Sequence, residues 1–181
     1  MIDRKSYSDQ EIFAESALKI ISAAIESFGF KLHRKEVKTY STTIVWRNNN
    51  QYVKVNSTTY PPDDYFSYNI ILGEGDSDDF FEYDWNSVAI WALAEVMDPK
   101  TTVSSYDFPC DDDVELSIYT AKRHLLLYGE TFLRGDLAIF RTARKRVNQV
   151  RIPYKIHKID ENGVFLTEDE PFSVEQKKKY S

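Results

Sequence analysis

Six carboxylates, Glu74, Asp76, Asp78, Asp79, Glu82 and Asp84, crowd into one short stretch, and five more follow at Asp107, Asp111, Asp112, Asp113 and Glu115. Acids at this density invite a calcium reading. An EF-hand loop, however, needs glycine at its sharp turn in the middle of the ligand series. Here Gly75 precedes most of the acids, and Phe80-Phe81 interrupts them. Zinc needs spaced His or Cys ligands, but His33, His124 and His157 lie far apart and Cys110 is the sole cysteine. His124 reads as a surface or packing residue. Neighbouring negative charge at Asp107 and Asp111 to Asp113 disfavours the thiolate that a nucleophilic Cys110 would require. No G-x-S-x-G elbow is present, and Gly73-Glu74-Gly75 is flanked by acids that would repel a phosphate. A pair of carboxylates working as acid and base stays open as an alternative, because any two could meet in space. No catalytic residue, metal or cofactor is expected.

Cations offer a second chemistry. Arg141, Arg144 and Lys145 share a helical face by their three- and four-residue spacing, with Arg146 and Arg151 close by. Such a run could hold nucleic acid. It also suits a helix C-terminus, and it can pair with the chain's own acids. Arg134-Gly135-Asp136 reads as a helix break and cap, and Asn56-Ser57-Thr58 as an incidental sequon.

The net charge of −6 hides an asymmetry. Residues 1–54 carry a net +3 and residues 122–181 a net +5, whereas residues 55–121 hold 1 Lys/Arg against 15 Asp/Glu, a net −14. No basic residue occurs from Val55 to Pro99. Like charges repel, so this middle third must face water or a basic partner. An acidic face repels nucleic acid and anionic lipid, since both are bound by neutralising their charge. The aromatics Phe80, Phe81, Tyr83 and Trp85, set among the acids, are either core or anchors of a protein interface.

These residues must be held by a chain of 181 residues, 42% hydrophobic, which is enough for one domain or one domain with a tail. Met1-Ile2-Asp3-Arg4-Lys5 lacks the apolar stretch of a signal peptide, and no apolar run approaches a membrane span, so the cytoplasm is the expected compartment. Ser8-Asp9-Gln10-Glu11 forms a capping box, and the apolar spacing from Ile12 to Phe28 predicts a helix over 8–28 ended by Gly29. Strands are expected at 30–38, 42–46, 51–57 and 65–72. Asn48-Asn49-Asn50 makes one tight turn, and the short connections favour an antiparallel meander. Helices are expected from Trp85 to Val96, from Asp112 or Asp113 to about Leu133, and from Asp136 to about Val150. A polar loop fills 99–112. The order predicts an α+β fold: an N-terminal helix, an antiparallel sheet of about four strands, then C-terminal helices. Residues 1–150 read as one domain. Residues 151–181 read as an extension with a short strand near Val164-Phe165-Leu166 and a turn at Asn162-Gly163.

Phe28-Gly29-Phe30, Thr43 to Trp46, Tyr52 to Val55, Tyr68-Asn69-Ile70, Leu125 to Tyr128 and Phe132 to Asp136 together resemble small bacterial proteins of unknown function, some of them immunity proteins that inactivate a toxin. The likeness spans roughly residues 8–140, and no functional residue carries over from it. It implies a protein partner, and the acidic middle third suits a basic one, such as a cationic toxin, and argues against nucleic acid or membrane as target. The expected partner-binding residues are Glu74, Asp76, Asp78, Asp79, Glu82, Asp84, Trp85, Asp111, Asp112 and Asp113. A small regulatory or scaffold protein is the alternative.

Overall fold

A computed structural model describes residues 4–58, 67–76, 85–104, 106–107 and 114–181. Helix α1 spans Arg4–Ile25, so Ser8 lies inside the helix rather than capping it. A 3-10 turn, Glu26–Phe28, follows and stops at Gly29. Gly29 sits at φ 84°, in the left-handed region that glycine enters without a Cβ penalty, and its N–H closes on the Glu26 carbonyl.

Four eight-residue strands then form the expected meander: β1 (Lys31–Lys38), β2 (Ser41–Asn48), β3 (Gln51–Thr58) and β4 (Ser67–Glu74). The fifth is β5 (Ser87–Ala89), giving the antiparallel order β1-β2-β3-β4-β5. The sheet therefore exceeds the expected four strands. Ser87 to Ala89 opens the expected 85–96 helix, but it pairs with Ile71 to Gly73, and helix α2 begins only at Ile90 (Ile90–Met97). Strand β6 (Tyr106–Asp107) was expected as loop. It pairs with Ser67 and Tyr68, so β4 shares one edge between β5 at its C-terminal end and β6 at its N-terminal end. Two or three residues are too short a run for alternation to reveal a strand, which is why the sequence hid both.

Alternation along the longer strands puts Ile44 and Trp46, Val53 and Val55, and Tyr68, Ile70 and Leu72 on one buried face. Helix α1 crosses that face. Phe13 meets Tyr68 with ring centroids 4.9 Å apart, and the Trp46 indole N–H donates to Ser22 Oγ at 2.8 Å. Gln10, fully buried, accepts at Oε1 from Thr42 and Ser57 hydroxyls, which satisfies the polar atoms the helix seals in. Helix α3 (Val114–Leu133) lies beside α1. The Arg134-Gly135-Asp136 break follows it, with Gly135 at φ 91° and the Asp136 carboxylate accepting from Ala138 N–H. Helix α4 (Ala138–Val150) packs against α2.

The extension holds more structure than one strand. A hairpin of β7 (Lys155–Ile159) and β8 (Phe165–Asp169) leads into α5 (Pro171–Tyr180), whose first amides are capped by Glu170. Helix α5 docks on α4: Asn148 Nδ2 donates to the Tyr180 carbonyl and Arg144 stacks on the Tyr180 ring.

Candidate functional site

The acid-rich segment leaves the sheet at the end of β4 and returns at Trp85, so its root can be built from both sides. On the exit side, Gly75 turns the chain at φ 110°. Its N–H donates to the Asn50 carbonyl at 2.8 Å, and its carbonyl accepts from Arg47 Nη1 at 3.0 Å. One residue earlier, Glu74 is gripped from helix α4. Arg144 Nη1 donates to Glu74 Oε2 at 2.8 Å, and Arg141 donates to both carboxylate oxygens. The hydrogen bonds from Arg141 hold the Glu74 carboxyl below its usual range; partial burial opposes them and the charge of Arg144 adds to them.

On the return side, Trp85 is buried and its carbonyl accepts from Asn148 Nδ2 at 2.7 Å. Asn86 Oδ1 accepts from the Tyr52 hydroxyl at 3.0 Å. Tyr52 reaches it by lying across β4 at Gly73, where a Cβ would come within 1.9 Å of the ring. Ser87 then pairs with Gly73. Both ends of the 76–84 segment are thus fastened to the same corner of the sheet. A polar cleft of about 500 Å³ lies at this corner, between the Asn48 to Asn50 turn, Phe28 and the Arg134 to Leu137 break.

Of the expected partner-binding residues, Asp76 is exposed where the segment departs. Glu74 is not displayed: its side chain is 14% exposed and holds two arginines. Trp85 is a core residue at 1% exposure, so its ring packs inside the fold and is not a surface anchor. Asp78, Asp79, Glu82, Asp84, Asp111, Asp112 and Asp113 lie outside the described residues. The roots of the two acidic stretches do not share a corner. Asp107 pairs with Ser67 at one end of β4, and Glu74 closes the other. Seven strand steps separate those positions, about 23 Å.

No family model, curated protein or solved structure matches the chain. The resemblance to immunity proteins therefore rests on sequence spacing alone.

A second cluster escaped the sequence reading. Tyr68, Tyr106 and His124 stack in series between β4, β6 and α3, with centroids 5.1 and 5.8 Å apart. The Tyr106 hydroxyl lies 3.1 Å from His124 Nδ1, and the Tyr68 hydroxyl 2.8 Å from Ser117 Oγ. Burial pushes the Tyr68 hydroxyl up to about 12, raises Tyr106 further, and lowers His124. The only advance signal was the placement of Ser117, His124 and Tyr128 along α3, which says nothing of the tyrosines arriving from β4 and β6. Among the described residues no group of three His, Cys, Asp or Glu could hold a metal, and no helix is long and apolar enough to cross a membrane.

Proposed function

We propose that this chain is a protein-binding module that captures a basic partner with its acidic middle third, in the manner of an immunity protein neutralising a cationic toxin. The carrying observation is the fastened root. Segment 76–84 contains five acids and three aromatics and is tied at both ends by Glu74–Arg144, Gly75–Asn50, Trp85–Asn148 and Asn86–Tyr52 contacts. A binding segment on a rigid support loses less entropy when it docks. The root arginines Arg141 and Arg144 are engaged by Glu74. Five acids in nine positions attract a cationic surface from a distance and speed its encounter. The aromatics beside them provide contact area once docked. The polar cleft next to Asn50 is large enough to receive a side chain of that partner.

The test is calorimetry with the basic proteins encoded beside this one, at low and high salt. A tight complex that weakens with salt and abolishes the partner's toxicity is expected. The double variant Asp78→Lys, Asp79→Lys should slow association at least tenfold while leaving the circular dichroism unchanged. Binding that ignores both salt and this variant would overturn the reading.

A further inference from the structure

Three pieces of the chain meet around the polar cleft: the 3-10 turn at Ser27 and Phe28, the β2–β3 turn at Asn48 to Gln51, and the break between α3 and α4. They are tied to one another in a ring. Asn48 Nδ2 donates to the Phe28 carbonyl at 3.2 Å, Gln51 Nε2 donates to the Phe132 carbonyl at 2.6 Å, and the Arg134 guanidinium lies over the Phe28 ring at 5.3 Å. The cleft is thus preformed, and its volume of about 500 Å³ falls in the ordinary range of small-molecule sites. Gln51 is buried, at 7% exposure, and its amide is used at one end only. Nε2 is spent on Phe132, while Oε1 accepts nothing among the described residues. That oxygen is not sealed within the protein, as the unpartnered oxygens of Thr131 and Gln176 are, so it opens on the cleft that Gln51 lines. The carboxamides of Asn49 and Asn50, exposed beside it, make no hydrogen bond among the described residues either.

We propose that this cleft binds a neutral, hydroxyl-rich small molecule, a mono- or disaccharide. Charge is the first reason. Arg134 is the one charged residue among the described residues that line the cleft, and its Nε and Nη2 both donate to Glu130 Oε1. No described carboxylate lines the cleft to recruit a cation, and an anion would have to compete with Glu130 for the guanidinium. Hydrogen-bonding capacity is the second. A carboxamide offers an acceptor and two donors side by side. A sugar hydroxyl both donates and accepts, so neighbouring hydroxyls can answer Gln51 Oε1 and the Asn49 and Asn50 amides together. An apolar ligand would displace water from these amides without replacing its hydrogen bonds, at a loss of affinity. The surroundings are the third. Leu133 and Leu137 give an apolar wall for the C–H face of a sugar ring. Phe28, the one aromatic residue among the described lining residues, already carries Arg134 over its ring, which disfavours a flat aromatic ligand. The proposal does not rest on capture of a basic partner by the acidic segment.

Titration of the isotope-labelled full chain with glucose, galactose, N-acetylglucosamine, maltose and lactose, followed by NMR, tests this. At least one sugar should bind saturably with a Kd below about 5 mM. Its shifts should fall on the backbone amides of Ser27 and Phe28, Asn48 to Gln51 and Arg134 to Leu137. Asn49→Gly with Asn50→Ala should weaken that sugar by about tenfold or more. Glycine keeps the left-handed backbone of Asn49, at φ 32°, so the turn has little reason to fail. Ser27→Trp covers the case in which the double variant misfolds. It lies at an exposed position on the rim, fills the cleft from there, and should abolish binding. Glucuronate, the anionic counterpart of glucose, should bind no tighter than glucose. No saturable sugar, shifts that map elsewhere, variants that bind as the wild type does, or tighter binding of glucuronate or adenosine would each overturn the proposal.

Discussion

Arg144 reaches from helix α4 to the last residue of β4 and donates to Glu74 Oε2 at 2.8 Å, and both side chains are nearly enclosed, at 11% and 14% exposure. Arg141 binds the same carboxylate from the solvent side, with 58% of its side chain exposed. The two cations look equivalent in sequence, three residues apart on one helical face. Their surroundings make them unequal. Arg141 exerts the larger hold on the carboxyl's proton affinity, yet water can take its place, while nothing replaces Arg144.

Glu74→Ala should therefore destabilise the fold by about 3 kcal/mol, because it strands the enclosed Arg144 cation. Arg141→Ala should cost less than about 1 kcal/mol, as exposed pairs do. Urea unfolding of the two variants would check the order. Equal losses would mean that Arg144 finds another partner or water.

The same carboxylate sets a pH response. Its proton affinity is lower folded than unfolded, so the unfolded chain binds the extra proton. The stabilisation is full above about 4.5, the unfolded value, and is lost as pH falls through the folded value. Unfolding free energies at pH 6 and pH 3.5 should differ by less in Glu74→Gln than in the wild type. An identical acid loss in both would show that Glu74 contributes nothing to it.

Much of this corner was legible beforehand, and what was not has a physical reason. The meander could be read because Thr42 to Trp46 is rich in β-branched and aromatic residues, Asn48-Asn49-Asn50 marks the turn, and Tyr52, Val53 and Val55 carry the returning strand. The shared face of Arg141 and Arg144, and their capacity to pair with the chain's own acids, followed from helical spacing. That Glu74 is the acid they choose did not follow, since it depends on α4 passing the end of β4, a contact between residues about seventy apart. Trp85 stood among acids and looked like a possible anchor. Burial decided the matter, and no local pattern encodes it. The hairpin at Lys155 to Asp169 was half seen: Asn162-Gly163 marked its turn, but its strands are exposed at every position except Ile156 and so lack the apolar alternation that betrays a half-buried strand.

Gly73 should tolerate no side chain. A Cβ there would lie 1.9 Å from Tyr52 Cζ and 2.3 Å from its hydroxyl oxygen, so the ring must lift and release Asn86. Gly73→Ala should cost about 1–3 kcal/mol from overpacking plus about 1 kcal/mol for the lost hydrogen bond. Pairing it with Tyr52→Ala should recover part of the loss, because the second change removes the clash. Strictly additive losses in thermal or urea unfolding would show that the ring is not what excludes the side chain.

His124 should titrate below 6.5 in the folded chain, since burial against Tyr106 and Tyr128 and the nearby charge of Arg123 both disfavour its cation. The unfolded chain then takes up the proton first as pH drops. Stability is unaffected above about 6.5, falls as pH passes below it, and levels off once the folded imidazole is protonated too. An NMR titration of the His124 ring should give a midpoint under 6.5. Replacing it by Gln should remove its share of the stability loss between pH 7.5 and 5.5. The variant also separates two causes. If the midpoint moves up towards 6.5 in Tyr106→Leu, the aromatic stack and its hydroxyl were disfavouring the cation. If it stays low, packing along α3 and the charge of Arg123 suffice.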